Sequence, residues 1–166
     1  MSELTVGYLA DYPAALPLLA EAFRAESPAY FGAQPADAII AALLAPTLQR
    51  AALPLTLVAH AGAALVGTVA LRADSIGTRP DLGPWVAALH VLPPHRGRGV
   101  GARLLGAAEA AAYALGLRTL YAGSGRAAPL FLRHGWRALG TLAYHGEPLT
   151  LLRRDLAAPP EPAPAI

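Results

Sequence analysis

The 166-residue sequence contains no cysteine and no lysine. Without cysteine, the chain cannot form disulfides, thiolate metal sites or cysteine nucleophiles, and without lysine it cannot use Schiff-base or lysine general-base chemistry. All thirteen basic residues are therefore arginines. Because alanine, glycine and proline are also abundant, we interpret this usage as the codon bias of a GC-rich bacterial genome.

Long apolar runs are also missing. Hydrophobic residues make up 55% of the chain, yet no run reaches the ~18 apolar residues that a membrane span requires. The N-terminal sequence MSELTVGYLADYP lacks the basic region of a secretory signal, so we expect a cytoplasmic protein. The length favours one domain over residues 1–156, followed by a proline-rich tail at 157–166 (AAPPEPAPAI) that is expected to be disordered.

Charge and composition limit the classes of partner that we expect the chain to bind. The net charge is only +2 and aromatic residues are few (7%), and the arginines are spread along the chain, a pattern that disfavours nucleic acid. The histidines other than His90 show no metal-ligand spacing: His60, His95, His134 and His145. We therefore expect neither nucleic acid, nor a membrane, nor a metal as partner.

The most informative stretch lies at residues 84–109. An apolar strand candidate, Trp85–Val91, leads through two prolines to Arg96–Gly101 (RGRGVG) and then directly into a helix. The glycines allow a tight turn in which several N–H groups face one ligand, and the helix adds unpaired N–H groups and the positive end of its dipole. Arg96 and Arg98 add forked donors for phosphate oxygens. The pattern predicts a site for a diphosphate or a similar polyanion.

Periodicity around this stretch predicts an α/β (α+β) fold. Seven strands are expected at Leu4–Leu9, Leu55–His60, Ala64–Arg72, Trp85–Val91, Arg118–Gly123, Trp136–Leu142 and Leu149–Arg154. Four helices are expected, one carrying Ala14–Phe23 and the others at about 36–50, 99–116 and 127–134. Only the fourth and fifth strands are joined by a helical crossover, which predicts that they are parallel neighbours in a mixed sheet of hairpins.

Residues typical of helix ends and turns support these helix and strand boundaries. Asp11 is placed to cap the first helix, with Pro13 in its first turn, and Pro46 predicts a break in the second. Gly116 and Gly135 are expected to end the third and fourth helices in the left-handed conformation. The last two strands are expected to form a hairpin across residues 143–148.

Three ligand interpretations compete for the glycine loop. It can be a connector that binds nothing. It can be a dinucleotide fingerprint, since Gly97–Ala102 fits G-x-G-x-x-A, with Arg126 available for the extra phosphate of NADP. Two prolines and a histidine separate the strand from the first glycine, however, and no carboxylate ends the next strand, where the ribose needs one.

The third interpretation rests on a family resemblance. The pattern Val91-x-Pro93-x-x-Arg96-Gly97-x-Gly99-x-Gly101 resembles the acetyl-CoA signature of the GNAT superfamily of N-acetyltransferases, Arg/Gln-x-x-Gly-x-Gly/Ala. The segment Phe131–Trp136 is similar to the aromatic-x-x-x-Gly-aromatic segment of that superfamily. The segment Thr78–Trp85 (TRPDLGPW), with Trp136 and Tyr144–Gly146, resembles a small bacterial subgroup.

This resemblance covers residues 4–155. It implies a mixed, mostly antiparallel seven-stranded sheet with four helices, splayed between strands four and five. It also implies acetyl-CoA as co-substrate and no metal, with the pyrophosphate on the glycine loop and the pantetheine arm beside strand four. The cofactor residues it implies are Leu89, His90, Val91, Arg96, Gly97, Arg98, Gly99, Val100, Gly101, Ala102 and Phe131.

Two positions depart from the superfamily pattern. Phe131 stands where a tyrosine often serves as general acid, and Trp85 stands where a carboxylate is frequent. We therefore consider His90, Tyr121 and Tyr144 as candidates for the catalytic acid and base. We consider Asp81 and, again, Trp85 as candidate contacts of the acceptor. A thiol with a pKa of about 8.5 leaves readily, so a missing acid need not abolish activity.

The resemblance implies an acyltransferase that moves an acetyl group directly to the primary amine of a small molecule, because no cysteine and no clear serine nucleophile is present. A coenzyme-A-binding protein with little transferase activity is the alternative that Phe131 and Trp85 suggest, and an NADP-binding protein is a more remote one. Homodimers are common in proteins of this kind, so a homodimer is also expected.

Overall fold

In the described part of the chain, seven strands form one sheet, in which the first four strands lie side by side in chain order and are followed by the fifth, the seventh and the sixth. The computed structural model describes residues 2–77 and 79–159, so Thr78 and residues 160–166 of the expected tail lie outside the described residues. The strands are β1 Leu4–Tyr8, β2 Leu55–Ala61, β3 Ala64–Arg72, β4 Trp85–Val91, β5 Thr119–Ser124, β6 Arg137–Tyr144 and β7 Glu147–Asp155. The predicted boundary between domain and tail stays a prediction.

The sheet is mixed and mostly antiparallel, as predicted. Its one parallel pair is β4 with β5, and these strands are in register at a single position, Trp85 opposite Tyr121. The Tyr121 N–H donates to the Pro84 carbonyl at 3.0 Å. Beyond this point the two strands separate. The predicted splay between strands four and five is therefore confirmed.

The described residues form five α-helices that flank the sheet, whereas four were expected. They are α1 Leu16–Glu26, α2 Pro28–Phe31, α3 Ala36–Ile39, α4 Val100–Ala114 and α5 Ala128–Arg133. The additional helix, α2, lies between the first two expected helices, and Pro28 occupies its first position, where the fixed φ of proline suits a helix. A single π-helical turn, Ile40–Leu44, extends α3 up to the expected break at Pro46.

The expected cap at Asp11 is wrong. Two short 3₁₀ turns, Leu9–Asp11 and Pro13–Ala15, precede α1, and no side chain caps them. The Asp11 carboxylate forms an ion pair with the guanidinium of Arg50 instead, which removes it from the helix end. The tight turn Tyr12 N–H to Leu9 C=O, 2.8 Å, then delays the start of the α-helix.

The last hairpin is longer than expected. Strands β6 and β7 continue until only His145 and Gly146 remain between them. Both residues have positive φ, +50° and +79°, the conformation that lets a two-residue turn match the twist of its strands. The loop expected over residues 143–148 is therefore strand for most of its length.

The two faces of the sheet carry separate cores. Helix α4 covers one face with the buried side chains of Val100, Leu104, Leu105, Ala108 and Ala112, which recur at the spacing of one helical stripe. Helices α1 and α3 cover the other face through Leu19, Phe23 and Ile39. Among the described residues, none of the helices combines the length and the apolar content needed to cross a membrane.

Left-handed glycines end the two helices that flank β5. Gly116 (φ +89°) follows α4 and Gly135 (φ +85°) follows α5, as predicted. A side chain at Gly135 would also collide with the guanidinium of Arg154. That guanidinium donates to the Gly135 carbonyl at 3.0 Å and to Glu109 at 3.1 Å. Position 135 therefore accepts only glycine without rearrangement.

We expect Gly135→Ala and Gly106→Ala to change stability in opposite directions. The first adds left-handed strain and displaces Arg154, and should lower the free energy of unfolding by about 1–2 kcal/mol. The second lies on the exposed side of α4 with open space around it, and should raise that free energy by about 0.5–1 kcal/mol. Urea unfolding of both variants measures the difference, and equal effects would contradict the assigned conformations.

Candidate functional site

The edge of β4 that faces the splay is the first feature of the site. The Leu92 N–H donates to the Val66 carbonyl at 2.9 Å, on the β3 side. Because backbone groups alternate in direction along a strand, Leu89 and Val91 point theirs away from β3, toward the gap left by β5. Within the described residues no strand pairs with them there. The gap is therefore a slot lined by main-chain groups that no strand pairs with, of which the Val91 carbonyl accepts a hydrogen bond from the Arg96 side chain.

A bulge in β4 decides which side chains face which helix layer. Thr68 pairs with His90 and Ala70 with Ala87, so two β4 residues lie opposite one residue of β3. Ala88, inside the bulge, has φ +52°. The extra residue reverses the alternation, so Leu89 and Val91 pack against the α4 core while His90 faces α1.

His90 is buried on the α1 face, with 8% of its surface exposed. Its ring meets the edge of Phe23 at a centroid distance of 6.3 Å. Burial lowers the pKa of His90 below its ordinary value; the negative charge of Glu26 opposes this shift and the positive charge of Arg96 adds to it. The imidazole is therefore held in its neutral form at neutral pH, as a proton acceptor must be.

The glycine loop follows β4. Gly97 and Gly99 have φ of +75° and +81°, and the space where their side chains would stand is open. Gly99 is the residue before α4, and the Arg103 N–H donates to its carbonyl at 3.1 Å. The N–H groups of residues 100–102 thus precede the first helical hydrogen bond and are free for an anion.

Gly101 has a different role from the two loop glycines. A methyl group there would come within 2.9 Å of the Leu130 side chain in α5 and 3.7 Å of Val91. It therefore permits close packing of α4 against α5. Phe131 is buried behind this contact, edge-on to Trp136 at 4.9 Å.

A cluster of three charged side chains crosses the mouth of the slot. Arg96 donates through Nε to the Val91 carbonyl (2.8 Å) and through Nη2 to Glu26 (3.0 Å). Arg126, from the loop after β5, donates to the other oxygen of Glu26 at 3.2 Å. Burial alone would raise the pKa of Glu26, but Arg96, His90 and Arg126 outweigh it, and the pKa lies below its ordinary value.

Sequence reasoning missed Glu26. It is the last residue of α1 and has no motif around it, and only the approach of α1 to the slot gives it a role. Arg96 was predicted to contact phosphate. Its side chain binds the Val91 carbonyl and Glu26 and does not project into the loop. Arg98 is exposed beside the two left-handed glycines.

The remaining sequence candidates lie on the α1 face as well. Trp85 is 1% exposed, its indole donates to the Leu82 carbonyl at 3.1 Å, and its ring lies 5.8 Å from that of Tyr121. Asp81 is exposed and accepts two hydrogen bonds from Arg79, at 3.1 and 3.0 Å. Tyr144 lies at the tip of the last hairpin, where burial and the neighbouring Tyr30 raise its pKa.

The described residues contain no group of three or more histidine, aspartate or glutamate side chains placed to hold a metal ion. The groups that the structure does bring together at the site are the β4 edge, the glycine loop, His90 and the charged cluster at the slot mouth.

Comparison with solved structures places this architecture among acetyltransferases. An aminoglycoside 6'-N-acetyltransferase complexed with coenzyme A superposes with a TM-score of 0.74 at 15% identity, over 95% of this chain and 99% of that one. The yncA protein of Salmonella typhimurium, solved with its cofactor acetyl-CoA, gives 0.70 at 19% identity, over 99% and 100%. A GNAT-family acetyltransferase of Streptococcus pneumoniae gives 0.68 at 22%, over 93% and 100%.

No curated protein sequence matches the chain. A family model does: the acetyltransferase (GNAT) domain aligns with residues 54–138, which run from β2 through the slot and the glycine loop to the start of β6. With this match over half of the chain, the protein belongs to the GNAT family of acetyltransferases.

Proposed function

We propose that the protein transfers the acetyl group of acetyl-CoA directly to the primary amine of a small molecule. The observation that carries the proposal is the free β4 edge at Leu89 and Val91, which lies directly before a glycine loop with unpaired N–H groups. An extended chain carrying amides fits the edge, and a diphosphate fits the loop.

The residues present fit coenzyme A. Open space above Gly97 and Gly99 leaves room for phosphate oxygens against the backbone, and the first turn of α4 supplies N–H donors and a positive dipole end. Arg98 is exposed beside them and is the guanidinium best placed to meet phosphate charge. Bound acetyl-CoA supplies a thioester carbonyl as the electrophile.

Groups of the protein itself stabilise or neutralise the charges that develop during acetyl transfer. The Val91 N–H faces the slot and donates to the carbonyl oxygen as negative charge builds there. Neutral His90 accepts the proton that the amine nitrogen loses when it bonds to the carbonyl carbon. The carbon–sulfur bond then breaks, and Tyr121 or Tyr144 supplies the proton that the thiolate takes up, since Phe131 has none to give.

The anion site can be tested with Gly99→Glu. We expect this variant to lose coenzyme A binding, because its carboxylate would occupy the phosphate position. Thermal shift with and without coenzyme A measures the loss, since a ligand that binds only the folded state raises Tm. Gly99→Ala carries the same backbone strain without the charge and should keep part of the shift.

Two outcomes would contradict this assignment. One is a full coenzyme A shift in Gly99→Glu. The other is stabilisation of the wild-type protein by NADPH and none by coenzyme A, which would restore the dinucleotide interpretation. Coenzyme A binding without acetyl transfer to any amine would favour a binding protein over a transferase.

The role of His90 can be tested by the pH dependence of kcat/KM. A base must be unprotonated, and burial lowers the pKa of His90, so the acid limb should fall below pH ~6.5, the ordinary histidine value. His90→Gln should remove this limb and lower kcat/KM by roughly 10²-fold or more. His60→Gln is the control, because His60 also has a pKa lowered by burial but lies at the β1–β2 edge. An unchanged limb in His90→Gln would remove His90 from the mechanism.

Glu26 provides a second pH test. Its negative charge raises the pKa of His90, so Glu26→Gln should lower that pKa further and move the acid limb to lower pH. Glu21→Gln breaks an exposed ion pair with Arg24 on the same helix and should leave the limb in place. An acid limb that moves equally in both variants would contradict a specific coupling between Glu26 and His90.

A further inference from the structure

A continuous row of aromatic rings covers the α1 side of the slot. We call it the aromatic arc; it comprises Phe23, Phe31, Tyr30, His145 and Tyr144. Neighbouring ring centroids are 5.9 Å apart for Phe23–Phe31, 4.5 Å for Phe31–Tyr30, 4.7 Å for Tyr30–His145 and 4.3 Å for His145–Tyr144. The arc begins beside His90, whose ring is 6.3 Å from that of Phe23, and ends at the tip of the last hairpin.

The arc joins two parts of the chain that are far apart in sequence. Tyr30 and Phe31 belong to α2, whereas Tyr144 and His145 belong to the β6–β7 hairpin. Trp85 and Tyr121 lie on the same face of the sheet, in a further cluster that includes Tyr144. The rings of α2 and of the hairpin are in contact through Tyr30 and His145, so the aromatic surface continues from α2 onto the hairpin.

The ring surfaces are accessible where a ligand could use them. Tyr30 is 47% exposed and His145 is also exposed. Tyr121 and Tyr144 are half-buried. Aromatic faces attract both flat apolar groups and the ammonium form of an amine.

The charges near the slot disfavour a polycation. Both oxygens of Glu26 are occupied by Arg96 and Arg126, and both oxygens of Asp81 by Arg79. At these two places a molecule with several ammonium groups would meet guanidinium groups whose carboxylate partners are already paired. Asp74 and Glu147, for which the described structure gives no ion pair, are exposed, in the loop after β3 and at the tip of the hairpin.

We propose that the acceptor is a primary monoamine with an aromatic body, which lies against the aromatic arc with its nitrogen directed to His90 and the slot. This inference rests on the proposed function. It separates the protein from the aminoglycoside acetyltransferases that share its fold, because their polycationic acceptors suit an acidic site.

The first experiment compares acceptors at saturating acetyl-CoA. Tryptamine and phenethylamine represent aromatic monoamines, kanamycin a polycation, and arginine an amino acid. We expect kcat/KM for the aromatic amines to exceed that for the other two at least tenfold. A preference for kanamycin or arginine would overturn the inference while leaving acetyl transfer intact.

The second experiment removes one ring of the aromatic arc. Tyr30→Ala should lower kcat/KM for tryptamine roughly tenfold, the scale of a lost ring contact and cation–π contact, and leave KM for acetyl-CoA unchanged. Tyr30→Phe keeps the ring and should restore most of the loss. Leu18→Ala, at an exposed apolar residue on α1 outside the arc, is the matched control. Equal losses for tryptamine and kanamycin in Tyr30→Ala would overturn the assignment.

Calorimetric titration of tryptamine separates this inference from the proposed function. Binding that weakens in Tyr30→Ala supports the arc even if turnover is absent, whereas no binding to either the free or the coenzyme-A-loaded protein overturns it. Failure of coenzyme A to bind counts against the proposed function alone.

Discussion

The separation of β4 from β5 is the constraint on which the rest of the structure depends. The strands meet at one register position, Trp85 opposite Tyr121, where the two rings and the indole bond to Leu82 anchor them. Past that point α4 and α5 pack closely through Gly101 and Leu130. A continuous pairing would satisfy the backbone of both strands. The gap instead leaves main-chain groups along β4 without a strand partner; the Val91 carbonyl accepts from Arg96, and the other groups are open to a ligand or to water.

The bulge at Ala88 determines which side chains border that gap. Without it, the residue after Ala88 would occupy the α1 face and His90 would turn into the α4 core. With it, the apolar side chains of Leu89 and Val91 complete the α4 core, and the one titratable group of the strand faces the acceptor side. A positive φ at an alanine costs free energy. The conformation at Ala88 places the main-chain groups of β4 on one side of the slot and the imidazole of His90 on another.

Local chemistry made much of the fold predictable. Strand β4 has the limits that its apolar pattern indicated, and the glycines after α4 and α5 are left-handed, because short-range sterics decide such features. The Asp11 cap was predicted wrongly, and the helix α2 and the two-residue turn at His145 were missed, since each outcome depends on a partner distant in sequence or on a backbone choice that composition does not mark. Glu26 escaped notice for the same reason: its two arginines lie 70 and 100 residues away.

The packing of α1 on β4 determines the protonation state of His90. The imidazole is buried beside Phe23, and this burial lowers its pKa and keeps it neutral. On the proposed function, the rings that run from Phe23 to Tyr144 favour an acceptor with an aromatic body. That proposal requires the acceptor to be bound against the rings before its nitrogen reaches the slot and His90.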